Sequence, residues 1–217
     1  MSTAKRVSHA EAAAILAERD PVLARLIEAA GPIRLRGGAP SPIGALVQAI
    51  VYQQLAGAAA RAIHGRLIDA IDGDITPEAL LALSDETLRA VGLSAAKVRS
   101  LRDLATKVLD GTVVVSPRRL ARLPDEEIAR RLTTIRGIGP WSADMFLMFQ
   151  LRRLDVWPVG DFGVRQGYGL AWNVPMPTAR ELTRLGDRFR PYRTVVAWYC
   201  WRAVELDGRA TDSALTR

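Results

Sequence analysis

The hydrophobic periodicity of this sequence constrains its fold more than any other feature, because it is helical along nearly the whole chain. Proline, glycine and capping residues interrupt the pattern at short intervals, which predicts many short helices joined by tight turns. The last three helices are predicted at residues 161–172, 178–189 and 192–206. The strand-like run at residues 112–115 has no evident partner and is predicted to be an extended connector. The sequence therefore predicts an all-α fold.

Length and composition exclude several classes of protein. The chain has 217 residues, of which 49% are hydrophobic and 24% charged, so it can form a sizeable core and is not intrinsically disordered. No stretch approaches the roughly 18 uncharged apolar residues that a membrane span needs. Cys200 is the only cysteine, which excludes an internal disulfide, a four-thiolate zinc site and an iron–sulfur cluster. We therefore expect a cytoplasmic protein without membrane association.

The charge balance favours a polyanionic partner. The 30 Lys and Arg residues exceed the 23 Asp and Glu residues, which gives a net charge of +7. Only three of the cationic residues are lysine, so the chain is arginine-rich, and codon bias in a GC-rich genome would produce much the same composition. Charge alone therefore leaves nucleic-acid binding open.

Residues 132–149, with the sequence LTTIRGIGPWSADMFLMF, contain the most informative motif. Gly137 and Gly139 lie between two predicted helices and allow a tight turn with a close backbone approach to a ligand. The amides at the start of the second helix then form an anion site suited to a phosphate, and Ile138 anchors the turn in the core. A plain helix–helix turn is the alternative interpretation, and the glycine pair alone does not decide between them.

The wider pattern resembles the helix–hairpin–helix DNA glycosylases. Asp161 follows Trp141 by twenty residues, where this family places an aspartate before a helix. Residues 41–67, 92–105 and 190–202 are also similar to family segments, so the resemblance covers about residues 40–202. The hairpin pattern itself is carried by Leu132, Ile135, Gly137, Ile138, Gly139, Trp141, Ser142 and Ala143.

The resemblance implies a fold and a branch of the family. It implies two helical subdomains flanking a DNA-binding cleft, one formed by residues 42–155 and the other by residues 1–41 with 156–217. Bifunctional members carry a nucleophilic lysine where this chain has Trp141, and an indole supplies no amine for a Schiff base. Tryptophan there is typical of the 3-methyladenine DNA glycosylase II branch, here in a short form without the family's N-terminal β domain.

Asp161 is the catalytic residue that the resemblance implies. A carboxylate stabilises the oxocarbenium ion that forms as the base leaves, and it can orient the attacking water. An ordinary helix N-cap is the alternative, and both roles are compatible. A methylated purine is already cationic, so it needs no general acid, and aromatic faces can select it. The implied pocket residues are Trp141, Met145, Tyr192 and Trp198, although for Trp198 and Trp201 a core role is favoured because they share a helix face.

The DNA contacts are implied in the same way. The hairpin contributes Gly137, Gly139 and Ser142, and Leu55 matches the apolar wedge that fills the gap left by a flipped base. A buried core leucine is an equal alternative for Leu55, while Gln53 and Gln54 contact DNA or satisfy buried backbone groups. Two departures from the family stand out: Met145 replaces an aromatic pocket wall, which suggests a less aromatic pocket, and Pro140 replaces a residue that is often basic.

The leading hypothesis is a monofunctional glycosylase that excises alkylated purines, of the 3-methyladenine and 7-methylguanine type, from double-stranded DNA. The alternatives are a glycosylase for deaminated or oxidised bases, and a non-catalytic hairpin module that only binds DNA. We expect a monomer located in the cytoplasm with the nucleoid. No cofactor and no metal are expected, except that carbonyls of the hairpin could hold a monovalent cation.

Overall fold

The computed structural model describes residues 7–35 and 37–215, with side chains to residue 208, and every regular element in these ranges is a helix. The all-α prediction is confirmed. Residues 112–115 form no strand, as expected, and the helices of the described ranges include none long and apolar enough to cross a bilayer. The chain forms two compact units: one is Gly37–Arg152, and the other consists of the described residues before and after it. The predicted boundaries, residues 42 and 155, lie a few residues away.

The unit Gly37–Arg152 contains eight helices joined by short turns: α3 (Pro42–Tyr52), α4 (Gly57–Ala70), α5 (Pro77–Ala82), α6 (Asp85–Ala90), α7 (Ala95–Leu109), α8 (Pro117–Leu120), α9 (Asp125–Leu132) and α10 (Pro140–Met145). Its long central helix, α7, packs against α3, α5 and α6, and α3 also packs against α4. Leu46, Ile50, Leu101 and Leu104 are fully buried in this core.

One helical segment of this unit departs from the predicted pattern. Directly after α10, residues Phe146–Gln150 form a turn of π-helix. A π turn inserts one extra residue and so rotates the side chains that follow it, and such turns are frequent at functional sites. Here Phe149 and Gln150, at the end of the π turn, both line a cavity of this unit.

The second unit has five described helices, α1 (His9–Arg19), α2 (Pro21–Ala30), α11 (Phe162–Trp172), α12 (Ala179–Leu185) and α13 (Arg193–Leu215). Ser8 and Glu11 form a capping box at the start of α1, with both reciprocal hydrogen bonds. Two of the predicted helix ends were wrong. The helix predicted at residues 178–189 ends at Leu185 and continues as a 3₁₀ turn, and the last helix extends to Leu215 rather than residue 206.

The contact between α11 and α13 is the main contact of this unit. It is close because α11 has glycines where α13 crosses it. A Cβ on Gly167 would lie 1.8 Å from the carbonyl oxygen of Cys200, and one on Gly163 would lie 2.9 Å from the Trp201 ring. Since real side chains do not approach so closely, the two glycines allow the packing that places the start of α11 beside Trp201.

Candidate functional site

The hairpin joins α9 to α10 through residues 133–139. Gly137 has a φ of +81°, a left-handed conformation that favours glycine, while Ile138 is only 4% exposed and anchors the turn as predicted. Gly139 is the N-cap of α10 and provides no side-chain cap. The amides of a first helical turn have no carbonyl partner within the helix, so this end of α10 has the geometry of an anion site.

Two other segments contact the hairpin: the end of α3 and the helix α7. The Gln53 amide donates a hydrogen bond to the Gly137 carbonyl at 2.8 Å. Ser100 of α7 lies directly behind the turn, 3.0 Å from the position that a Cβ on Gly137 would occupy. The Arg136 amide donates to Asp103 at 2.7 Å. Burial would raise the pKa of Asp103, but hydrogen bonds from Lys107 and from the Arg136 amide hold it below its ordinary value.

A cavity of about 840 Å³ opens beside the hairpin within the same unit. Six of the predicted site residues line it, which means that the fold brings these sequence-distant side chains together. Trp141 is 52% exposed, an unusual exposure for so large an apolar ring. The six residues are Gln53, Gln54, Gly137, Trp141, Ser142 and Met145.

Sequence reasoning missed several lining residues. Met145 lines the cavity, and Tyr52, Phe146 and Phe149 give it aromatic walls from other positions. The expectation of a less aromatic base pocket stays a prediction. A sequence signal did exist for one wall: α3 exposes a stripe with helical spacing in an otherwise apolar segment. The stripe consists of Ala45, Gln48, Ala49 and Tyr52. The aromatic and amide groups after Met145 carry no such signal, because the π turn sets their direction.

Leu55 follows α3 in a tight turn at residues 53–55. Its side chain is 37% exposed, so the alternative of a buried core leucine does not hold. Gln54 has a φ of +56°, a left-handed conformation that is uncommon for a residue other than glycine or asparagine. Backbone outliers of this kind cluster at ligand sites, where the surrounding structure holds them in place. The turn therefore presents an apolar side chain to solvent on a tightly constrained backbone.

Asp161 belongs to the other unit, where it is the N-cap of α11. Its Oδ1 accepts a hydrogen bond from the Val164 amide at 2.8 Å and one from the Trp201 indole at 2.9 Å. The predicted N-cap role is confirmed. The core role favoured for Trp201 was incomplete, because its N–H fixes the orientation of this carboxylate. Neighbouring Cys200 is fully buried, and burial, reinforced by the charge of Asp161, raises the pKa of its thiol.

The two remaining pocket candidates also lie in this unit, near the start of α13. Tyr192 precedes the helix and is half-buried, with the guanidinium of Arg19 5.9 Å from its ring centroid. Trp198 is half-buried, packs edge-on against Tyr199, and has the guanidinium of Arg202 over its ring at 5.6 Å. Neither residue lines the cavity beside the hairpin. Their assignment to the base pocket stays a prediction.

Comparison with known proteins places these features in one family. The model of the HhH-GPD superfamily of base excision DNA repair proteins matches residues 47–191, which include the 53–55 turn, the hairpin and Asp161. The chain belongs to this superfamily. It is 36% identical over 168 residues to DNA-3-methyladenine glycosylase 1 of Schizosaccharomyces pombe, and the alignment covers 76% of this chain and 73% of that protein.

Solved structures of this superfamily have the same fold. The structure of the 3-methyladenine DNA glycosylase of Schizosaccharomyces pombe in complex with abasic DNA matches with a TM-score of 0.74 and 34% identity, covering 88% of this chain and 95% of that one. A DNA-3-methyladenine glycosidase from Bacillus halodurans matches with a TM-score of 0.79 and 36% identity, covering 87% and 86% of the two chains. The helix–hairpin–helix fold predicted from the sequence is confirmed.

Proposed function

We propose that this protein is a monofunctional DNA glycosylase that hydrolyses the N-glycosidic bond of alkylated purines, of the 3-methyladenine and 7-methylguanine type, as the first step of base excision repair. One observation carries the proposal: in a chain of this superfamily, Asp161 lies at the start of α11 with its carboxylate oriented by two hydrogen bonds. The substrate class follows from similarity to proteins named DNA-3-methyladenine glycosylases.

The hairpin provides the DNA-binding part of the proposal. Without a capping side chain on Gly139, the first turn of α10 is open to a backbone phosphate oxygen. Such contacts position a protein on DNA without reading its sequence. The exposed Leu55 fills the space left by an extruded base, and the structure of a related glycosylase in complex with abasic DNA supports DNA as the partner.

Cation–π contact explains how an alkylated base is selected. N3- or N7-methylation makes the purine cationic, and the exposed ring of Trp141 together with Tyr52 and Phe149 gives the cavity faces that attract a cation. Such a base is also a good leaving group. The protein therefore needs no general acid in the cavity.

Asp161 supplies the catalytic charge. As the bond between C1′ and the base breaks, the base leaves as a neutral purine and positive charge develops on the deoxyribose. The Asp161 carboxylate stabilises that charge and accepts a proton from the water that adds to C1′. The Trp201 N–H and the Val164 amide both donate to the same carboxylate oxygen, and these two hydrogen bonds hold the carboxylate in orientation during the reaction.

The same proposal includes the absence of lyase activity. Trp141 stands where a Schiff-base mechanism would require an amine. The Lys97 ammonium donates to the Val51 carbonyl, and that of Lys107 is held by Asp103 and by the Thr134 carbonyl. Lys107 is thus close to the hairpin in space, although distant in sequence. Lys5, the third lysine, lies outside the described residues.

Identification of the released bases tests the proposed function. Purified protein is incubated with DNA treated with a methylating agent, and in parallel with duplexes that carry a single deaminated or oxidised base, and the released bases are identified by mass spectrometry. We expect 3-methyladenine and 7-methylguanine from the methylated DNA. Release of only deaminated or oxidised bases would replace the substrate class, and release of no base would leave a DNA-binding module.

A further inference from the structure

One face of α7 carries a row of polar side chains that lie against the backbone of other segments. Lys97, Ser100, Asp103 and Lys107 are three, three and four residues apart, which places them in one row along the helix. All four lie against backbone groups of two other segments: the end of α3, and the hairpin. These two segments carry the wedge candidate Leu55 and the phosphate-binding turn.

Lys97 binds the first of these segments. Its Nζ donates a hydrogen bond of 2.7 Å to the carbonyl of Val51, in the last turn of α3. The last carbonyls of a helix have no partner within the helix, so this ammonium satisfies one of them and complements the negative end of the helix dipole. The chain leaves α3 at this point into residues 53–55, so Lys97 fixes the base of the turn that carries Leu55.

The other three residues bind the hairpin. Lys107 donates to the Thr134 carbonyl and forms an ion pair of 2.8 Å with Asp103, which in turn accepts from the Arg136 amide. Ser100 closes the space behind Gly137. Gln53 then joins the two segments directly, through its hydrogen bond to the Gly137 carbonyl. The hairpin and the 53–55 turn are thus held by one rigid helix and by each other.

The choice of residue types agrees with this arrangement. Lysine is rare in this arginine-rich chain, yet two of its three lysines lie on this row of α7. A compact ammonium suits a single backbone carbonyl, whereas a guanidinium spans several acceptors. Arg102 on the same helix shows the contrast, because it donates to the carbonyls of Leu80, Leu81 and Leu83 together.

We propose that Lys97 is a positioning residue for base extrusion: this face of α7 holds the Leu55 turn at a fixed offset from the phosphate-binding hairpin. The proposal rests on the proposed function for its substrate, and on the contacts above for its geometry. Lys97 touches neither substrate nor reacting atoms, so it acts only through the placement of Leu55. Its loss therefore affects the extrusion of a stacked base more than binding or bond cleavage.

The experiment compares two substrates under single-turnover conditions: 7-methylguanine paired with cytosine, and the same lesion opposite an abasic site, where extrusion is easier. Loss of a hydrogen bond from a charged group predicts that Lys97→Met slows excision from the paired substrate by about tenfold. Excision opposite the abasic site falls less than about threefold, because the step that Lys97 assists costs less there. Lys97→Gln, which is too short to reach Val51, is the second variant.

Two further variants make the result specific. Leu55→Ala is expected to show the same preference for the abasic-site substrate, and the double variant with Lys97→Met is expected to be no worse than Leu55→Ala alone. Lys107→Met is the matched control on the same helix, because it loosens the hairpin and weakens binding to both substrates alike. Equal losses on both substrates for the Lys97 variants, or multiplicative effects of Lys97→Met and Leu55→Ala, would overturn the proposal.

A readout without chemistry separates this inference from the proposed function. A 2-aminopurine in the duplex becomes fluorescent when it leaves the base stack upon protein binding. We expect Lys97→Met to reduce the fluorescence increase at saturating protein, and Lys107→Met to reduce the affinity instead. If the wild type unstacked the base but released no alkylated purine, the proposed function would fail and the role of Lys97 would stand.

Discussion

Alanine substitutions at the two hairpin glycines distinguish the requirement for folding stability from the requirement for DNA binding. Gly137 has a φ of +81° and faces Ser100 at 3.0 Å from its missing Cβ. Gly139 has an extended backbone, with φ −98° and ψ 178°, and no atom lies within 4 Å of its missing Cβ. Only the first position therefore requires glycine for the protein's own structure.

The two substitutions have different expected magnitudes. A left-handed conformation costs a residue with a Cβ about 1–2 kcal/mol, and the contact with Ser100 adds to it. For a chain of this size, about 2 kcal/mol lowers Tm by about 4–8 °C, which is the expectation for Gly137→Ala. Gly139→Ala is expected to cost less, about 0.5–1 kcal/mol, because alanine is a poorer N-cap than glycine although its methyl group finds open space in an allowed conformation.

DNA affinity is expected to fall for both variants. An N-cap side chain lies beside the first amides of its helix, which is how serine and aspartate reach them. A methyl group on Gly139 therefore occupies the space where a phosphate oxygen approaches, and we expect an affinity loss of about tenfold, roughly the share of a charge-assisted hydrogen bond. The assay is fluorescence anisotropy with a duplex containing a stable abasic analogue, at one fixed salt concentration because such binding is salt-dependent.

Gly139→Ala gives the decisive result. If this variant binds DNA with the affinity of the wild type, the first turn of α10 does not hold a phosphate. If it lowers Tm as much as Gly137→Ala, the backbone geometry described for the hairpin is wrong. Gly65→Ala serves as the matched control, because its missing Cβ also has open space around it and it lies in α4, outside the hairpin and the cavity.

Three further outcomes are expected. Trp201→Phe removes the indole hydrogen bond to the carboxylate and slows base release by about tenfold without weakening DNA binding, measured by single-turnover kinetics and anisotropy; an unchanged rate would make that bond irrelevant to catalysis. Gly167→Ala forces a methyl group against the backbone of α13 and is expected to destabilise the protein by about 1–3 kcal/mol or more, measured by thermal unfolding. By the same measurement, Gly65→Ala, at an exposed position inside a helix, is expected to stabilise it by about 0.5–1 kcal/mol. Wild-type protein gives no borohydride-trapped DNA adduct and leaves the abasic strand intact; a trapped adduct would refute the reasoning from Trp141.

Helix positions and caps could be predicted because their signals are local. Caps are such a signal, because a serine or threonine side chain accepts a hydrogen bond from an amide of the helix that it precedes, as Ser8, Ser41, Thr76, Ser84 and Ser94 do. Helix ends were harder to predict, and the π turn after Met145 has no signature in the periodicity. The hairpin was predictable since its glycines punctuate two clear helices.

The site was only partly predictable, for a physical reason. A motif identifies residues such as Gly137, Trp141 and Asp161, but it does not say which other segments bind them. The bonds from Gln53 to the hairpin and from Trp201 to Asp161 join positions 84 and 40 residues apart in sequence. Only the fold brings such groups together, and for this reason the orienting role of Trp201 and the position of Lys107 beside the hairpin did not emerge from the sequence.

The central claim is that Asp161 catalyses the release of alkylated purines, and its most direct test is the release rate of Asp161→Asn. Asparagine keeps the oxygen that accepts from Val164 and Trp201, so the variant is expected to fold and to bind DNA like the wild type. Release of 7-methylguanine from methylated DNA should fall by about a hundredfold or more, because the stabilising charge is gone. Asp187→Asn, at an exposed carboxylate of the same unit, is the matched control and should retain the full rate. Release by Asp161→Asn at the wild-type rate would contradict the account.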